Sequence, residues 1–479
     1  MKNTLIYVIA LLGISSFLQQ CGDPWEDHIN EGLTDINQSL IQRLENEAGA
    51  STFLSLLKEA DLGVELDGTN SYTIFVPDNQ SIGAIAAELR SDKGALSNFV
   101  KNHIAVSTHR LNTSADTIQL TMLNGKILDM LSSRIGEVSF LKSNQGSSDG
   151  LYHILAAPLM PQQNLWEYIT AQQDYKQNQF LSSLSTYKLY DDGLLDSEED
   201  SLLNNEFLHF VGDVRLEKDR FTYFVLQDVA FDKDVSAFLP YVNYRNEADS
   251  SIQISRYYVA RDLIVRRAYN KEGLPSELTT MSGGKLVVDK SAIVESIQLS
   301  NGYVHVLDAA LLDNTQGVTN KLASFKVEGE EPSSFSHSRP SNTFHRDRQD
   351  PNGLLFRDIM VQNHGVSMFT INYRLPHFLS TSYDVYWRAL NDIQANVFQQ
   401  RLRILGEEYP GVLGAPTRDE MYLSPYTDVP LMNYDEVYVG SFELSEFQQV
   451  MAQLMAAAST ANGVNTVVLD YLRFVPKVK

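Results

Sequence analysis

GLYHILAAPLM (residues 150–160) is the stretch that decides the fold, because a second copy, GYVHVLDAALL (residues 302–312), follows 152 residues later (302 − 150 = 152). Each copy combines a Gly, an aromatic residue and a His, and continues as an apolar run. Repetition at a fixed spacing is typical of one structural unit that is used more than once. We therefore predict two related domains in tandem.

Further segments repeat in the same order upstream of the two copies. YTIFVPDNQSI (72–82) and LNGKILDM (123–130) precede the first copy, and FTYFVLQDVAF (221–231) and SGGKLVVD (282–289) precede the second. This order resembles the fasciclin-like domain, whose pattern runs from a T-x-F-x-P-[TD]-[ND] strand and turn, through an N-G-x-x-[LIV] hairpin, to a closing G-x-x-H strand. The resemblance covers roughly residues 37–315.

The first copy follows the family pattern closely, whereas the second departs from it. The matching residues of the first copy are Thr73, Phe75, Pro77, Asp78, Asn79, Asn124, Gly125 and His153. The matching residues of the second copy are Gly302, His305, Asp308 and Leu312, and its departures are Leu226, Gln227 and Ser282 at the Pro, acidic and hairpin Asn positions. The resemblance implies two α+β domains, each a small β-wedge with packed helices. Family members use positions comparable to His103, His109 and His153 for packing and, in some animal proteins, for adhesion, so we expect a structural role for these three histidines.

Composition excludes some classes of protein. The length of 479 residues suggests about three domains, and 43% hydrophobic residues can supply their cores. The net charge of −22 argues against a nucleic-acid partner, because phosphates are bound by clustered Lys and Arg. A single Cys excludes an internal disulfide framework.

The first 20 residues are similar to a bacterial lipoprotein signal. Lys2 precedes an apolar run that is too short for a spanning helix, and the segment ends at Cys21. The resemblance implies cleavage before Cys21 and its acylation, so that acyl chains anchor the protein to a membrane. Gln19 and Gln20 depart from the small residues of the family's lipobox. Ordinary signal cleavage near Ser15 or Ser16, with Cys21 as a free thiol, is the alternative.

An acidic stretch, GDPWEDH (22–28), follows Cys21 directly. Such a stretch resembles the surface-export signal of some Gram-negative lipoproteins, and a plain polar linker is the alternative interpretation. We expect a location in the outer membrane, lipid-anchored and facing the cell exterior.

The remaining patterns complete the predicted domain division. The predicted parts are a signal peptide (1–20), a lipidated acidic linker (21–36), a first fasciclin-like domain (37–161), a second, degenerate one (162–315), a polar linker (316–353) and an all-β sandwich (354–479). Short alternating runs separated by Pro, Gly and Asn favour the sandwich, and we expect one helix within it at residues 447–458. The closing run, TVVLDYLRFVP (466–476), weakly resembles the last strand of jelly-roll, galactose-binding-like modules of carbohydrate-active proteins.

Aromatic residues of the predicted sandwich are the candidate ligand contacts. Sugar-binding sites combine apolar aromatic surface with a few polar groups. The candidates are Tyr383, Trp387, Tyr422 and Tyr426, and their polar companions are Arg374, Arg388 and Asn391. Tyr383 and Trp387 share one face of their strand and Tyr386 takes the other, because strand side chains alternate. If the shared face is the inner one, this pair belongs to the core.

Neither catalytic nor metal-binding signatures are evident. The sequence has no G-x-S-x-G, H-E-x-x-H or phosphate-loop motif, and the acidic segment 191–200 lacks the ligand spacing of a calcium loop. We predict no enzyme activity, no cofactor and no metal. The expected function is adhesion or glycan capture beside an outer-membrane nutrient-uptake system. One alternative is an accessory subunit that docks onto a transporter complex without binding glycan. Another is an enzyme with a catalytic carboxylate pair, which no sequence motif would reveal among the 60 acidic residues.

Overall fold

The computed structural model describes residues 38–62, 71–111, 117–189, 201–312, 322–410, 416–457 and 465–479. Cys21 with its flanking signal and acidic segments lies outside the described residues, as does the carboxylate-rich segment 191–200. By its contacts the chain divides into two compact units, Met1–Gln163 and Asn164–Lys479.

The first unit contains one α+β domain. Its helices are α1 (Leu40–Glu45), α2 (Ser51–Glu59), α3 (Asn79–Gly83), α4 (Ala86–Leu89) and α5 (Lys93–Lys101). Its strands are β1 (Tyr72–Pro77), β2 (Ile104–Ala105), β3 (Ile118–Thr121), β4 (Ile127–Met130), β5 (Arg134–Ile135), β6 (Val138–Ser147) and β7 (Gly150–Leu155). They form one sheet in the order β2-β1-β7-β6-β5-β4-β3.

The sequence explains where these elements begin. Asp78 follows the Pro that closes β1, and its side chain accepts hydrogen bonds from the backbone of Gln80 and Ser81, which caps α3. Ser39 and Gln42 form a capping box at the start of α1. The turn after β1 in the first repeat is therefore a helix cap with a structural role.

The second unit begins with a related domain. Its helices are α6 (Leu165–Ala171), α7 (Lys176–Ser183), α8 (Glu206–Phe210), α9 (Asp228–Phe238) and α10 (Ala248–Arg261), with 3-10 turns at Leu239–Tyr241 and Lys290–Ala292. Its strands are β8 (Ser185–Leu189), β9 (Ser201–Asn205), β10 (Phe221–Leu226), β11 (Ile264–Arg266), β12 (Leu278–Thr279), β13 (Lys285–Leu286), β14 (Ile293–Leu299) and β15 (Gly302–Leu307). The central sheet has the order β11-β10-β15-β14.

The two domains share one pairing scheme, which confirms the internal repeat. In the first, β1 pairs parallel with β7 and brings Phe75 opposite His153. In the second, β10 pairs parallel with β15 and brings Phe224 opposite His305. Both His residues are buried, and Nε2 of His305 lies 2.9 Å from the carbonyl oxygen of Tyr269. Both histidines therefore belong to the packed interior of their domains.

The rest of the second unit is an all-β sandwich. Its strands are β16 (Phe325–Glu328), β17 (Ser334–Phe335), β18 (Thr343–Gln349), β19 (Leu355–Val361), β20 (Thr370–Phe378), β21 (Ser382–Arg388), β22 (Phe398–Leu405), β23 (Tyr409–Pro410), β24 (Pro416–Thr417), β25 (Glu420–Leu423), β26 (Thr427–Val429), β27 (Val437–Glu443), β28 (Gln448–Ala456), β29 (Val467–Leu469) and β30 (Tyr471–Pro476), with a 3-10 turn at Pro340–Asn342. One sheet has the order β16-β30-β21-β27, a second β17-β20-β28-β22-β25 with β26 beside β22, and a third β18-β19-β29.

The predicted helix at 447–458 is wrong, because this segment forms strand β28. Its Ala- and Met-rich composition favours a helix by intrinsic propensity. Every second residue from Val450 to Ala456 is nevertheless buried, and β28 pairs with both β20 and β22. Burial between two neighbouring strands overrides the local preference.

The predicted linker at 316–353 also needs correction, because it contains β16, β17 and β18. The sequence pattern did not indicate strand β18, because the positions of this strand that face inward carry charged residues. The side chain of Arg346 is 9% exposed and forms an ion pair with the buried carboxylate of Asp358 on β19, with Nε 2.8 Å from Oδ1. When the inward residues of a strand are charged and form ion pairs, the strand has a polar composition that resembles that of a loop.

The second repeat and the sandwich are joined by backbone hydrogen bonds. The backbone N–H of Ser380 donates to the carbonyl oxygen of Tyr241 (2.9 Å), and that of Phe447 donates to Asn243 (2.7 Å). The ring of Phe447 packs edge-on against Tyr258, with centroids 5.9 Å apart. These contacts make the two domains one compact unit.

Candidate functional site

Strand β21 separates the core of the sandwich from its surface. Tyr383, Val385 and Trp387 are buried, whereas Asp384 and Tyr386 are only half-buried. Because successive side chains point to opposite faces of a sheet, the buried set lies between the sheets. The half-buried set lies on the outer face.

The two predicted contacts on β21 belong to the core. Tyr383 is 1% exposed, its hydroxyl oxygen accepts a hydrogen bond from the backbone N–H of Leu379 (2.9 Å), and its ring stacks on Phe442. Burial raises the pKa of Tyr383 above its ordinary value. Trp387 is fully buried. The prediction that this pair contacts a surface ligand is therefore wrong, and the core alternative is correct.

Tyr422 and Tyr426 are half-buried and bonded within the sandwich. The hydroxyl of Tyr422 donates to the carbonyl oxygen of Val439 (3.0 Å). It occupies space left by Gly440, where an added Cβ would lie 1.8 Å from the Tyr422 hydroxyl oxygen. The ring of Tyr426 is covered by the guanidinium of Arg401 at 4.4 Å. Tyr422 thus has a packing role, and Tyr426 lies beside an arginine.

The predicted polar companions are dispersed. Arg374 is exposed on β20 and Asn391 is buried. Arg388 is buried and forms ion pairs with Asp470 (3.1 Å) and Asp350 (3.4 Å). These three residues do not form one site with the predicted aromatic residues.

The surface that combines aromatic and polar groups is the outer face of the sheet β16-β30-β21-β27, which we call the tyrosine face (Lys326, Tyr386, Glu436, Tyr438, Tyr471 and Arg473). Tyr386 and Tyr438 lie opposite each other on β21 and β27. Their ring centroids are 5.4 Å apart, and Tyr438 is 53% exposed. The guanidinium of Arg473, on β30, lies 4.4 Å from the Tyr386 ring centroid.

The other half of the tyrosine face is held by Glu436. Its carboxylate accepts hydrogen bonds from Nε of Arg473 (2.7 Å) and from the hydroxyl of Tyr471 (2.9 Å). The hydrogen bond from Arg473 lowers the pKa of Glu436, and burial raises the pKa of Tyr471 to about 12. The ammonium of Lys326 lies 3.6 Å from the centroid of the Tyr471 ring. The rings are thereby fixed by charged neighbours.

This arrangement is suited to a flat ligand with apolar and polar edges. Tyr438, Tyr386, Arg473 and Lys326 form a row across four strands, as their pairing shows. With strands about 4.8 Å apart, the row spans about 14 Å. Aromatic rings offer apolar contact area while their hydroxyls and charged neighbours offer hydrogen bonds. Sequence reasoning assigned Tyr386 to the other face of its strand but did not identify Tyr438 or Tyr471, which only strand pairing brings beside it.

Two observations on the described residues concern metal and acid–base chemistry. Within the ranges given above, no cluster of three or more His, Cys, Asp or Glu is arranged to hold a metal ion. The pKa of Asp470 is raised to about 7, because burial of its carboxyl group outweighs the opposite effect of the neighbouring Arg388. Asp470 lines neither of two surface clefts, one of about 460 Å³ beside α1 and α2 and one of about 550 Å³ beside Arg245 and Glu407.

Comparison with known proteins identifies the first repeat. Residues 48–161 match the family model of the Fasciclin domain. Human periostin (Homo sapiens) is 27% identical to this chain over 147 residues, which is 27% of this chain and 17% of periostin. The match therefore spans about one sixth of that relative's length.

Solved structures include likenesses to both parts of the chain. A FAS1 domain pair from the insect cell adhesion molecule Fasciclin I has 14% identity and a TM-score of 0.21, and covers 54% of this chain and 93% of that one. The C-terminal CBM6 of LamC from Zobellia galactanivorans has 11% identity and a TM-score of 0.20, and the match covers 32% of this chain and 99% of that one. A β-1,3-glucan-binding CBM6 from Bacillus halodurans has 12% identity and a TM-score of 0.21, and the match covers 32% of this chain and 95% of that one. TM-scores this low carry no argument about function.

In the described parts of the chain, the helices are too short or too polar to cross a bilayer.

Proposed function

We propose that this protein is a non-catalytic binding protein of the cell surface, anchored through acyl chains on Cys21, that captures glycan or mediates adhesion beside an outer-membrane nutrient-uptake system. The tyrosine face carries the proposal. Tyr386 and Tyr438 form an aromatic pair on the outside of the sandwich, and Tyr438 is 53% exposed. Large aromatic side chains on a flat, accessible sheet face favour a sugar ring over a nucleic acid in a chain of net charge −22.

The charges of the tyrosine face favour a neutral glycan. Arg473 is neutralised by Glu436, and Lys477 forms an ion pair with Asp384 (2.8 Å) on the same sheet. With Lys326 and Arg473 against Glu436, the tyrosine face carries one net positive charge, which produces only a small field.

A glycan array followed by calorimetry on the full chain tests the proposal. The variant Tyr386→Ala/Tyr438→Ala should lose at least about tenfold in affinity for a neutral polysaccharide, a loss of about 1.4 kcal/mol, because two ring contacts are removed. Phe344→Ala is the matched control, since Phe344 is a 40% exposed aromatic residue on the sandwich strand β18, outside the tyrosine face. Equal binding by the double variant and the parent would refute the assignment of the site.

The second candidate function is that of an accessory subunit that docks onto an outer-membrane transporter complex without binding glycan. Leu354 and Leu355, 60% and 75% exposed in the β18–β19 hairpin, favour it. Adjacent exposed apolar side chains are common at protein–protein contacts. If no polysaccharide binds, co-purification of the transporter with the parent but not with Leu354→Ser/Leu355→Ser would support this role.

A further inference from the structure

The outer face of the six-stranded sheet differs in chemistry from the tyrosine face. We call it the arginine face (Ser334, Asn372, Arg374, Arg401, Arg403 and Gln453). Its residues alternate with the core residues of β20, β22 and β28, such as Tyr373, Leu402 and Leu454. Strand pairing places Asn372 beside Gln453 and Gln453 beside Arg403. Arg374 and Arg401 lie in the rows on either side of this one.

A chain of side-chain hydrogen bonds crosses four strands of this face. Nε of Arg403 donates to Oε1 of Gln453 (3.1 Å), Nε2 of Gln453 donates to Oδ1 of Asn372 (3.0 Å), and Nδ2 of Asn372 donates to Oγ of Ser334 (3.1 Å). Every bond runs in the same direction. The side-chain amide oxygens of Gln453 and Asn372 each accept one of these hydrogen bonds, whereas the terminal nitrogens of Arg403 can still donate to a ligand. The row is therefore held rigid and is rich in donors.

Positive charge on this face is incompletely balanced. Arg374 is exposed, and no carboxylate of the described residues lies within ion-pair distance of it. Arg401 stacks on Tyr426, and its Nε has no hydrogen-bond partner among the described residues. Glu420 lies 3.6 Å from Arg403, and Asp428 accepts a hydrogen bond from Gln399 (2.8 Å). Neither Arg374 nor Arg401 has an ion-pair partner among the described residues, although the overall charge of the chain is −22.

We propose that the arginine face binds an acidic polysaccharide, one whose sugar units carry carboxylates, as a second binding surface of the sandwich. The guanidinium fork is suited to bidentate contact with a carboxylate. Arg374 and Arg401 are two strands apart and on opposite sides of the donor row, so they suit successive acidic units of an extended chain. The proposal rests on the glycan-binding role of the sandwich, but not on the tyrosine face.

The test uses the full chain and two forms of one polymer, polygalacturonate and its methyl ester, together with alginate and hyaluronan as further uronate polymers. We expect binding of at least one uronate polymer in low salt, weakening as salt screens the charges. Arg374→Gln/Arg401→Gln should weaken this binding at least tenfold. Arg357→Gln, which removes an exposed Arg on β19 that pairs with Asp347, should leave it unchanged. Thermal melts show that each variant is folded.

Several results would overturn the proposal. These are no binding to any uronate polymer, binding of polygalacturonate that is equalled by its methyl ester, or unchanged uronate binding by the double variant. Sedimentation that shows a dimer of the parent and a monomer of the double variant would assign the face to a second copy of the chain instead. Tyr386→Ala/Tyr438→Ala separates the two proposals, because it should abolish neutral-glycan binding while leaving uronate binding intact.

Discussion

Gly150 and Gly302 occupy the same point of the two repeats, each paired with the first residue of a central strand. A Cβ added at Gly150 would lie 2.2 Å from the carbonyl oxygen of Tyr72, and one added at Gly302 would lie 2.0 Å from that of Phe221. Both distances are far below any van der Waals contact. The strand pair can therefore close only with glycine at this position.

Replacing Gly302 should disrupt the second repeat. We expect Gly302→Val to lower the free energy of unfolding by about 3 kcal/mol or more, since backbone must move to admit the side chain. Differential scanning calorimetry of the full chain measures the change. Gly49→Ala is the control, because no atom lies within 4 Å of its added Cβ. An unchanged melting profile for Gly302→Val would contradict the geometry.

Among the strands of the sandwich, the local sequence pattern predicts some features correctly and others wrongly. The alternation of β21 was correctly inferred from sequence, but both of its faces carry aromatic residues, so the pattern left core and surface undecided. Strand β28 has helical composition and β18 has loop composition. Their strand pairing depends on neighbours distant in sequence, which local propensity does not include.

Helix α5 is tied to the end of the first domain by His103. Its Nδ1–H donates to the carbonyl oxygen of Phe99 (2.8 Å), and its Nε2 accepts from the backbone N–H of Leu159 (2.9 Å). The ring is fully buried, and burial lowers the pKa of His103 to about 4. Protonation would turn the acceptor into a donor facing another donor. The neutral form is thus required by the fold.

The first domain should therefore lose stability in acid. The folded pKa of His103 lies below the unfolded value of 6.5, so its contribution is complete above pH 6.5 and is lost as pH falls toward 4. The expected loss is about 3 kcal/mol between pH 7 and pH 4. Urea unfolding across this range measures it, and His103→Gln should flatten the profile in part. His153, whose pKa burial also lowers to about 4, should contribute to the remaining slope. Identical profiles for parent and variant would exclude His103 as a source.

At the scale of the whole molecule, the two compact units contain two related α+β domains and a sandwich, and the sandwich carries the tyrosine face and the arginine face. The sandwich is continuous with the second repeat through Phe447 and Ser380. Binding experiments on the sandwich alone would expose that junction to solvent. The full chain is the appropriate material.

Membrane attachment is the prediction that belongs to the whole molecule. We expect Cys21→Ser to move the protein from the membrane fraction to the soluble fraction, since acyl chains on Cys21 would be its anchor. Fractionation and metabolic labelling with a fatty acid measure this. Ser15→Ala is a control that preserves the thiol. Continued membrane pelleting of Cys21→Ser would refute the anchor.

The sequence by itself determined the tandem repeat, the α+β class of both copies, the presence of a sandwich and the alternation of β21. Periodicity and spacing carry that information because they are local. Only the tertiary structure decided that Tyr383 and Trp387 are core, that Tyr386 meets Tyr438, and that β18 and β28 are strands. Each of these depends on which distant strand covers a given face, and a residue's own neighbours in sequence do not specify that.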